Sequence, residues 1–333
     1  MSPTIDIVLA TYNGEKYLES LLQSILSQTY INFKIFIRDD DSSDHTLKII
    51  NTFTSQYPQQ VILVPSTDRL GVVRNFSTLL NHTTNNYIMF ADQDDIWLPG
   101  KISQTLAKMQ EMEKHYNKNT PLLVHTDVLL ADQDLQIIHP SFWDFVQFNP
   151  EKSSTLNRLL AQNVITGCTM MINRSLLKLA QPIPPETLMH DWWLGLVAAA
   201  FGHIGLVKQP TMLYRQHQSN ATGKVVKFTP FPYFVDRLMG EGPPPALVNN
   251  LQGKHTEQSS YFLKRYESQL TPQQKKLLQE YSRLYSRTRL GRKWSILKNG
   301  FFQNGTARNL ITFVIPPIYL RKRLKALKKI FCG

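Results

Sequence analysis

The sequence predicts an α/β fold built on a mainly parallel sheet flanked by helices. Apolar runs typical of buried strands alternate with amphipathic helical patterns, and the runs span 5–10, 33–37, 61–64 and 87–90. Short connections between such elements indicate right-handed βαβ units. Aspartate-rich loops at 39–44 and 92–95 directly follow two of the strands. Because ligands of such sheets bind at the carboxyl ends of the strands, we expect a site where these loops meet.

The segments between the strands have the three- and four-residue apolar spacing of helices. The first helical pattern starts at Glu15, and the second is expected to follow Asp44, which is suited to cap a helix N-terminus. The third helix is expected at 70–82, with Val72, Phe76, Leu79 and Leu80 facing inward. A fourth helix is expected at 101–115.

Beyond the fourth helix the alternation becomes less regular. A strand is predicted at 121–132, and a strand leading into a helix through an Asn-Arg-Ser turn at 163–177. A proline-rich loop then precedes an apolar helix that Asp191 is expected to cap. Two short strands are expected from residue 203 onward.

The last third of the chain is predicted to be a separate region. A breaker-rich linker at 240–250 precedes a long, charged helical pattern at 256–290. We therefore predict one domain at 1–223, followed at 224–333 by a linker and a basic helical extension.

Composition narrows the function classes. The 333 residues are 42% hydrophobic and 19% charged, as in ordinary folded proteins, and 37 Lys and Arg against 25 Asp and Glu give a formal charge of +12. Such a surplus favours an anionic partner. Cys168 and Cys332 are the only cysteines, so we expect neither a disulfide framework nor a cysteine-based metal site. No signal-peptide pattern and no apolar run of about eighteen residues occurs, which favours the cytoplasm.

The stretch YIMFADQDDIWLPGKI, 87–102, is the strongest local signal. A buried strand ends in Asp92, Asp94 and Asp95, and carboxylates this close repel one another unless a cation lies among them. Hard oxygen ligands suit Mg²⁺ or Mn²⁺, which complete their coordination with water and substrate phosphates. An acidic turn with helix-capping aspartates is the structural alternative.

The first two loops predict a nucleotide pocket. Tyr12 offers an aromatic face and Asp40 a carboxylate, which together suit a pyrimidine base with its imide N–H. No dinucleotide-binding or Walker-type glycine motif occurs, so a diphosphate would depend on a metal and on basic side chains such as Arg74. In isolation, Tyr12 also fits a packing role, Asp40 a turn and Arg74 a solvated surface.

Two later residues are candidates for catalysis and metal binding. Asp191 opens a helix after a proline-rich loop, so it is either a plain N-cap or a general base for a hydroxyl group. His217 follows an apolar strand within YRQHQSN. A single histidine usually belongs to the surface or the core, but a neutral imidazole is also an acceptable third ligand for Mn²⁺.

The order and wording of these motifs resemble a known family. ATYNGEKYLESLLQSILSQTY, RDDDSSDHT, FADQDDIWLPGKI, HDWW and LYRQH, in this order, are similar to inverting nucleotide-sugar glycosyltransferases of the GT-A fold, glycosyltransferase family 2. DQDDIWLPGK, HDWWLGLVAAAFG and LYRQHQSN most resemble bacterial rhamnosyltransferases that extend cell-wall or capsular rhamnose polysaccharides. The resemblance covers residues 4–223 and implies a GT-A domain there.

The resemblance also implies roles for individual residues. Thr11 and Tyr12 would line the nucleotide pocket, and Asp40 would hold the pyrimidine. Asp92 would face the ribose or the metal waters, and Asp94 would bind the metal. Asp191 would be the catalytic base, and His217 would close the metal site. Candidate donor or acceptor contacts are Asp95, Trp97, His190, Trp192 and Arg215.

One residue departs from the family pattern. Asp41 occupies a position where the family more often has glycine after the paired aspartates. If that turn needs a positive φ, aspartate is strained there, although less than most residues.

The resemblance implies a metal-dependent, inverting transfer in which dTDP-β-L-rhamnose is the favoured donor and Mg²⁺ or Mn²⁺ the cofactor. The acceptor would be a growing, lipid-linked cell-surface polysaccharide. A UDP-hexose donor would serve the same chemistry. Alternatives from other classes are a nucleotidyltransferase and a basic nucleic-acid-binding protein, although no nucleic-acid-binding motif is visible.

The chain ends in a basic amphipathic pattern at 318–331, IYLRKRLKALKKIF. Such a helix is typical of association with an anionic membrane surface, which would place the protein at the inner face of the cell membrane. The alternative is a helix that packs on the protein and keeps its basic face in water.

Overall fold

The computed structural model describes residues 2–218, 245–305 and 309, with side chains in the second stretch from residue 253. Its strands are β1 (Ile5–Thr11), β2 (Phe33–Asp39), β3 (Val61–Leu63), β4 (Tyr87–Asp92), β5 (Ile96–Trp97), β6 (Leu122–Ala131), β7 (Ile137–His139), β8 (Met171–Asn173) and β9 (His203–Arg215). Its α-helices are α1 (Leu18–Leu26), α2 (Thr46–Gln56), α3 (Val72–Asn81), α4 (Lys101–Tyr116), α5 (Phe142–Phe145), α6 (Pro150–Ser153), α7 (Leu156–Ala161), α8 (Arg174–Ala180), α9 (His190–Phe201), α10 (Pro245–Arg265), α11 (Pro272–Ser282) and α12 (Arg289–Asn299).

One half of the sheet is parallel, in the order β3, β2, β1, β4. The chain moves outward from β1 to β3 through α1 and α2, then returns through α3 to β4 on the other side of β1. The winding direction therefore reverses between β1 and β4. Such a switch point opens a crevice at the carboxyl ends of the two strands. The predicted α/β architecture is confirmed.

The other half of the sheet is mixed. β8 runs antiparallel to both β4 and β6, and β9 runs parallel to β6. By these pairings β9 points in the same direction as β4. The end of β9 at Arg215 therefore lies at the same sheet edge as the end of β4 at Asp92, and the segment after β9 is brought to the crevice.

Apolar burial on both sides of the sheet holds this arrangement. In β1, Ile7, Val8 and Leu9 have no exposed surface, as expected of a parallel strand covered by helices on both faces. α1 buries its predicted stripe, which includes Leu18, Leu21, Leu22 and Ile25. In α3 the prediction holds for Phe76, Leu79 and Leu80, but Val72 is 41% exposed because it is the first residue of the helix.

Several local predictions are wrong. Ile96 and Trp97 form a short strand against β9 that was not predicted. The two short strands expected from residue 203 are one strand, β9, whose register against β6 shifts around Pro210. Asp191 does not cap α9, since Met189 holds the N-cap position and no side chain caps it. The expected linker is already helical from Pro245.

The described residues form two units. Of the described residues, the first comprises 2–144 and 163–218, and the second 145–162, 245–305 and 309. The segment 145–162 thus belongs to the second unit, whereas the sequence prediction kept it within 1–223. The basic pattern at 318–331 lies outside the described residues. Among the helices described, none combines the length and apolar character that a membrane span requires.

A buried carboxylate fixes the start of β4 beside β1. Asp6 is fully buried, and its Oδ2 accepts hydrogen bonds from the backbone N–H groups of Thr84 and Asn85, each at 2.8 Å. Its Oδ1 accepts from Asn85 Nδ2 at 2.6 Å, and Arg174 lies 3.8 Å from Oδ2. A buried charge is tolerated when donors compensate it in this way.

Asp6→Ala should therefore lower the free energy of unfolding by about 2–4 kcal/mol, because two buried N–H groups lose their acceptor. Urea denaturation measures this. Asp134, an exposed aspartate, provides the control: Asp134→Ala should change stability by less than about 0.5 kcal/mol. Equal effects of the two substitutions would contradict the anchoring role of Asp6.

The loop after β2 contains a residue in the left-handed region. Asp41 has φ +66°, the conformation that glycine adopts most easily. Its neighbours fix the loop, since Asp39 Oδ2 accepts the Ser42 N–H at 2.8 Å and Asp39 Oδ1 accepts the Ser42 hydroxyl at 2.7 Å. The turn therefore has a positive φ at Asp41, where the resemblance led us to consider one.

Asp41→Val should cost about 1–2 kcal/mol of stability, because a β-branched side chain is strained at this φ, while Asp41→Gly should cost nothing. Thermal or urea unfolding distinguishes the two. Asp134→Val, at an exposed site without positive φ, is the matched control and should stay within about 0.5 kcal/mol. A neutral Asp41→Val would show that the loop relaxes freely.

Candidate active site

The loops after β1 and β4 are joined by a glutamine. Gln93 Oε1 accepts the Tyr12 N–H at 2.9 Å, and Gln93 Nε2 donates to the Tyr12 carbonyl oxygen at 2.9 Å. A Cβ at Gly14 would lie 2.3 Å from Gln93 Oε1, so a side chain there would displace this amide. Gln93 was not predicted. It lies between the metal-binding candidates Asp92 and Asp94, but its side chain holds the two loops together.

The loops after β1 and β2 are joined by Thr11. Its hydroxyl donates to Asp39 Oδ1 at 2.8 Å, and Thr11 is 1% exposed. The side chain therefore supports the floor of the predicted nucleotide pocket, and only its backbone is left to line it.

Asp40 is a largely satisfied carboxylate. Its Oδ1 accepts from the Leu70 N–H at 2.7 Å and from the Arg38 guanidinium at 3.1 Å, and its Oδ2 accepts from the Gly71 N–H at 2.8 Å. These bonds attach the loop before α3 to the end of β2. A carboxylate has about four acceptor positions, so about one remains, which is what a single imide N–H requires. The pyrimidine-binding role of Asp40 stays a prediction.

Tyr12 keeps an open aromatic ring. It is 37% exposed, and the guanidinium of Arg69 lies 3.9 Å from the ring centre. A base that stacks on Tyr12 must displace Arg69 or use the other face. Arg69 is exposed and lies on a loop, where no sequence signal distinguished it. Arg74, the predicted diphosphate contact, is also exposed, on α3.

The structure brings together the two residues predicted to hold a metal. His217 Nε2 lies 2.8 Å from Asp94 Oδ2, although 123 positions separate them in the chain. His217 is also in ring contact with Tyr17 at 4.8 Å. Arg215 fixes the backbone beside this pair, since its Nε donates to the Asp94 carbonyl oxygen at 2.7 Å and its guanidinium stacks on Tyr17. Arg215 is 4% exposed, so it supports the site rather than facing a sugar.

Asp92 lies within an unusually negative environment. Burial, followed by the charges of Asp94 and Asp191, raises the pKa of Asp92 to about 7. A hydrogen bond with Cys168 and the ammonium of Lys101 act in the opposite direction. The three aspartates predicted from separate parts of the sequence are therefore close enough to repel one another.

Asp95 lies behind this surface. It is fully buried, its Oδ1 accepts the Arg215 N–H at 3.1 Å, and its carboxylate also accepts a hydrogen bond from Cys168. Burial, with the charges of Asp94 and Asp92, raises the pKa of Asp95 well above its usual range. Trp97, 2% exposed, is likewise turned inward. Neither side chain offers a surface to a sugar, so the structure argues against both as contacts.

A buried lysine compensates the carboxylates. Lys101 begins α4 with no exposed surface, its Nζ donates to Thr211 Oγ1 at 3.4 Å, and it lies over the Trp97 ring at 4.9 Å. Burial lowers the pKa of Lys101 to about 8, against the charges of Cys168, Asp95 and Asp92. The sequence analysis missed this residue.

Cys168 lies beside the same carboxylates. Its Sγ and one oxygen each of Asp92 and Asp95 lie within 4.8 Å of one another. Burial and the two carboxylates raise the pKa of the Cys168 thiol, so it stays protonated and its S–H faces the oxygens. Mg²⁺ and Mn²⁺ prefer oxygen donors to sulfur, which argues against Cys168 as a ligand of either ion.

Asp191 combines burial with several N–H donors. Its Oδ1 accepts the Trp192 N–H at 2.6 Å, and the Asn163 side chain and the Gly167 N–H also donate to it. Burial outweighs these bonds and raises the pKa of Asp191 to about 7. A carboxylate with such a pKa is suited to accept a proton near neutral pH. Asn163 and Gly167 were not predicted.

His190 belongs to the core. It is 2% exposed, its ring stacks on Phe76 at 4.0 Å and on Phe90 at 5.5 Å, and burial lowers its pKa to about 3. Gly167 packs closely on this ring, since a Cβ there would lie 3.1 Å from His190 Nε2. Because the Gly167 N–H donates to Asp191, this packing also helps to position Asp191. The structure argues against His190 as a substrate contact, whereas Trp192 remains partly exposed.

The donor set fits a divalent metal. Asp94 and His217 already lie in contact, and Asp92 is electrostatically coupled to Asp94. Carboxylate oxygen and neutral imidazole suit Mn²⁺, and the oxygens suit Mg²⁺. A bound cation would relieve the repulsion among these aspartates.

Sequence comparison relates the chain to glycosyltransferases. The chain is similar to the dTDP-rhamnosyl transferase RfbG of Shigella flexneri, with 30% identity over 232 residues, 66% of this chain and 75% of that protein. It is also similar to a UDP-Glc:alpha-D-GlcNAc-diphosphoundecaprenol beta-1,3-glucosyltransferase, WfgD, of Escherichia coli, with 25% identity over 52% of this chain and 61% of the relative. The match to the putative glycosyltransferase EpsE of Bacillus subtilis covers 45% of that protein.

Two solved structures share the fold. The mannosyltransferase PcManGT of Pyrobaculum calidifontis, in complex with GDP-Man and Mn²⁺, aligns with a TM-score of 0.55 at 15% identity over 98% of this chain and 81% of its own. TarS 1–349 of S. aureus, in complex with UDP-GlcNAc, aligns with a TM-score of 0.54 at 15% identity over 97% and 92%.

The family assignment follows from the match of the sequence to a family model. The model described as "Glycosyl transferase family 2" matches residues 6–179, which include β2, β4 and the aspartates that follow them. The protein is therefore a glycosyltransferase and belongs to glycosyl transferase family 2.

Proposed function

We propose that this glycosyltransferase transfers L-rhamnose, with inversion, from dTDP-β-L-rhamnose to a hydroxyl group of a growing cell-surface polysaccharide. The observation that carries the reaction is the convergence of Asp92, Asp94 and Asp191 at one sheet edge, with His217 in contact with Asp94. The choice of rhamnose rests on the similarity to a dTDP-rhamnosyl transferase.

In this proposal the nucleotide lies over the ends of β1 and β2. The pyrimidine stacks on Tyr12 and donates its imide N–H to the remaining acceptor position of Asp40. Arg69 is free to move from the Tyr12 ring to the diphosphate, and Arg74 is a second candidate. Asp92 faces the ribose or metal-bound water.

Asp191 is the general base. Its carboxylate accepts the proton of the acceptor hydroxyl as that oxygen attacks the anomeric carbon and the bond from this carbon to the diphosphate oxygen breaks. The leaving dTDP keeps the electron pair, and the α-linked product follows from inversion. Mg²⁺ or Mn²⁺, held by Asp94 and His217 with Asp92 nearby, would stabilise the negative charge of the leaving group.

The proposed acceptor is a lipid-linked glycan. A lipid-linked glycan on the inner face of the cell membrane fits the basic pattern at 318–331. A UDP-hexose is the alternative donor, because WfgD, another relative, is named as a UDP-Glc-dependent enzyme.

The donor test is hydrolysis of sugar nucleotides. Purified protein with Mn²⁺ or Mg²⁺ should release nucleoside diphosphate from dTDP-rhamnose in preference to UDP-glucose, UDP-galactose and UDP-N-acetylglucosamine. EDTA should abolish release, and Asp94→Ala should lower it about 10²–10³-fold, because leaving-group charge loses its stabilisation. Asp134→Ala is the exposed control and should be unaffected. Release from a UDP-sugar alone would replace rhamnose in the proposal, and activity that survives both EDTA and Asp94→Ala would remove the metal.

The pH profile tests the base. Because burial raises the pKa of Asp191, its ionised fraction grows as pH rises toward neutral, so kcat/KM should increase with pH and then level off. The midpoint should lie above the ordinary carboxyl value of about 4. Asp191→Asn should lower kcat about 10²–10⁴-fold and remove this limb from the residual activity. A limb that persists in Asp191→Asn belongs to another group.

A further inference from the structure

Helix α12, Arg289–Asn299, carries an apolar stripe that faces solvent. Leu290 is 80% exposed, Trp294 67% and Leu297 54%. On a helix with 3.6 residues per turn, these positions lie within about 60° of arc. Three large apolar side chains on one exposed line are unusual in a folded protein and mark an interaction surface.

The orientation of this stripe is fixed by packing on the opposite side of α12. Ser295 is 2% exposed, and its hydroxyl donates to Glu280 Oε2 on α11 at 3.1 Å. The guanidinium of Arg292 lies 5.6 Å from the centre of the Tyr285 ring. The helix is therefore held by its polar residues while its apolar residues remain outside.

Cations surround the stripe. Arg289, Lys293 and Lys298 flank it on the helical projection, and α12 contains no acidic residue. Of the 37 Lys and Arg of the chain, thirteen follow Glu280, whereas none of the 25 acidic residues does. The 24 cations and 25 acids up to Glu280 nearly cancel, so the whole positive surplus lies in this part of the sequence.

A basic cavity of about 650 Å³ adjoins the stripe, with Leu297 in its wall. Of the residues that the structure describes, Lys152 and Arg158 line it and no acidic residue does. The Arg158 guanidinium lies over the Phe302 ring at 5.0 Å, and within the described part of the chain neither cation has an ion-pair partner. The cavity therefore offers two uncompensated positive charges beside an apolar rim.

We propose that this surface, formed by Leu290, Trp294 and Leu297 with the adjoining cavity of Lys152 and Arg158, docks the protein on an anionic lipid bilayer. The apolar stripe enters the boundary between headgroups and acyl chains, where tryptophan is favoured, and the flanking cations contact anionic headgroups. The cavity receives a headgroup phosphate. The proposal is independent of the donor sugar and of the pattern at 318–331.

Charge favours a bilayer over two other possible occupants of the stripe, namely the segment 310–333 of this chain and a second copy of the protein. The segment 310–333 contains six Lys and Arg and no acidic residue, so it offers no negative charge to the cations around the stripe. A second copy of the same basic surface repels them. An anionic bilayer supplies both negative charge and apolar depth.

The test uses the full chain and vesicles of phosphatidylglycerol and phosphatidylcholine, with phosphatidylcholine vesicles alone for comparison. We expect sedimentation with the anionic vesicles only, weakened by salt, together with a blue shift of tryptophan emission. The double variant Trp294→Ser/Leu297→Ser should lower the affinity at least about tenfold. Ile31→Ser is the matched control, since Ile31 is 78% exposed in the first unit and should have no effect.

The cavity is tested by the double variant Lys152→Met/Arg158→Met, which should lower the affinity for anionic vesicles several-fold. The control is Lys178→Met, at an exposed lysine of the first unit, which should bind vesicles like the wild type. A cavity variant that loses binding of inorganic phosphate but keeps its vesicle affinity would overturn the headgroup assignment. Hydrolysis of the sugar nucleotide in solution should be unchanged in all these variants, which separates this proposal from the catalytic one.

Three outcomes overturn the docking surface. Unchanged vesicle affinity of Trp294→Ser/Leu297→Ser would assign membrane binding elsewhere, for example to 318–331. Emission of Trp294 that does not respond to vesicles would indicate that the chain itself covers the helix. A doubled mass in light scattering that Trp294→Ser abolishes would indicate a second copy.

Discussion

Repulsion among carboxylates at one sheet edge is the constraint on which the rest of the site depends. Asp92, Asp94 and Asp191 come from two segments about a hundred positions apart, and the sheet topology forces them together. Folding tolerates this cost because apolar residues of the surrounding strands and of the inner faces of the helices are buried. The cost is lowest when a cation lies among the aspartates, so this sheet edge favours the binding of positive charge.

The chain answers this constraint with two groups of its own. Lys101 places a cation behind the aspartates, and His217 places an imidazole in contact with Asp94. Lys101 is held by the start of α4, while His217 depends on β9 running parallel to β4. The mixed half of the sheet thus contributes to the site, because it brings the chain, and with it His217, back to the edge where the parallel half ends.

The sequence predicted much of this because the relevant signals are local. Strand runs, helical spacing and the aspartates after β2 and β4 are readable within a few residues, and the motif order indicated the family. Membership of a glycosyltransferase family now sets aside the nucleotidyltransferase and nucleic-acid-binding alternatives. Burial was harder to predict, since it depends on partners distant in sequence: Asp95, Trp97 and His190 look like site residues in their motifs but face the core.

Lys101 shows what signal was available. A lysine at the first position of a helix opposes the helix dipole, which favours acidic residues there. Following Pro99 and Gly100, it resembles a solvated residue of a first turn, but its unfavourable position indicated that another interaction holds it. Arg69 and Gln93 offered no comparable sign, because an exposed arginine and an amide between aspartates are both common on surfaces.

The net charge of +12 is misleading for the catalytic chemistry. Up to Glu280 the chain is nearly neutral, so no general positive field draws the anionic donor to the crevice. Nearby cations are already engaged, since Arg38 binds Asp40, Arg215 binds the Asp94 carbonyl group and Lys101 is buried. Arg69 and Arg74 are exposed, but two surface arginines compensate a diphosphate only weakly in water. The balance of charge in the site therefore favours a bound divalent cation over protein side chains alone as the group that holds the leaving diphosphate.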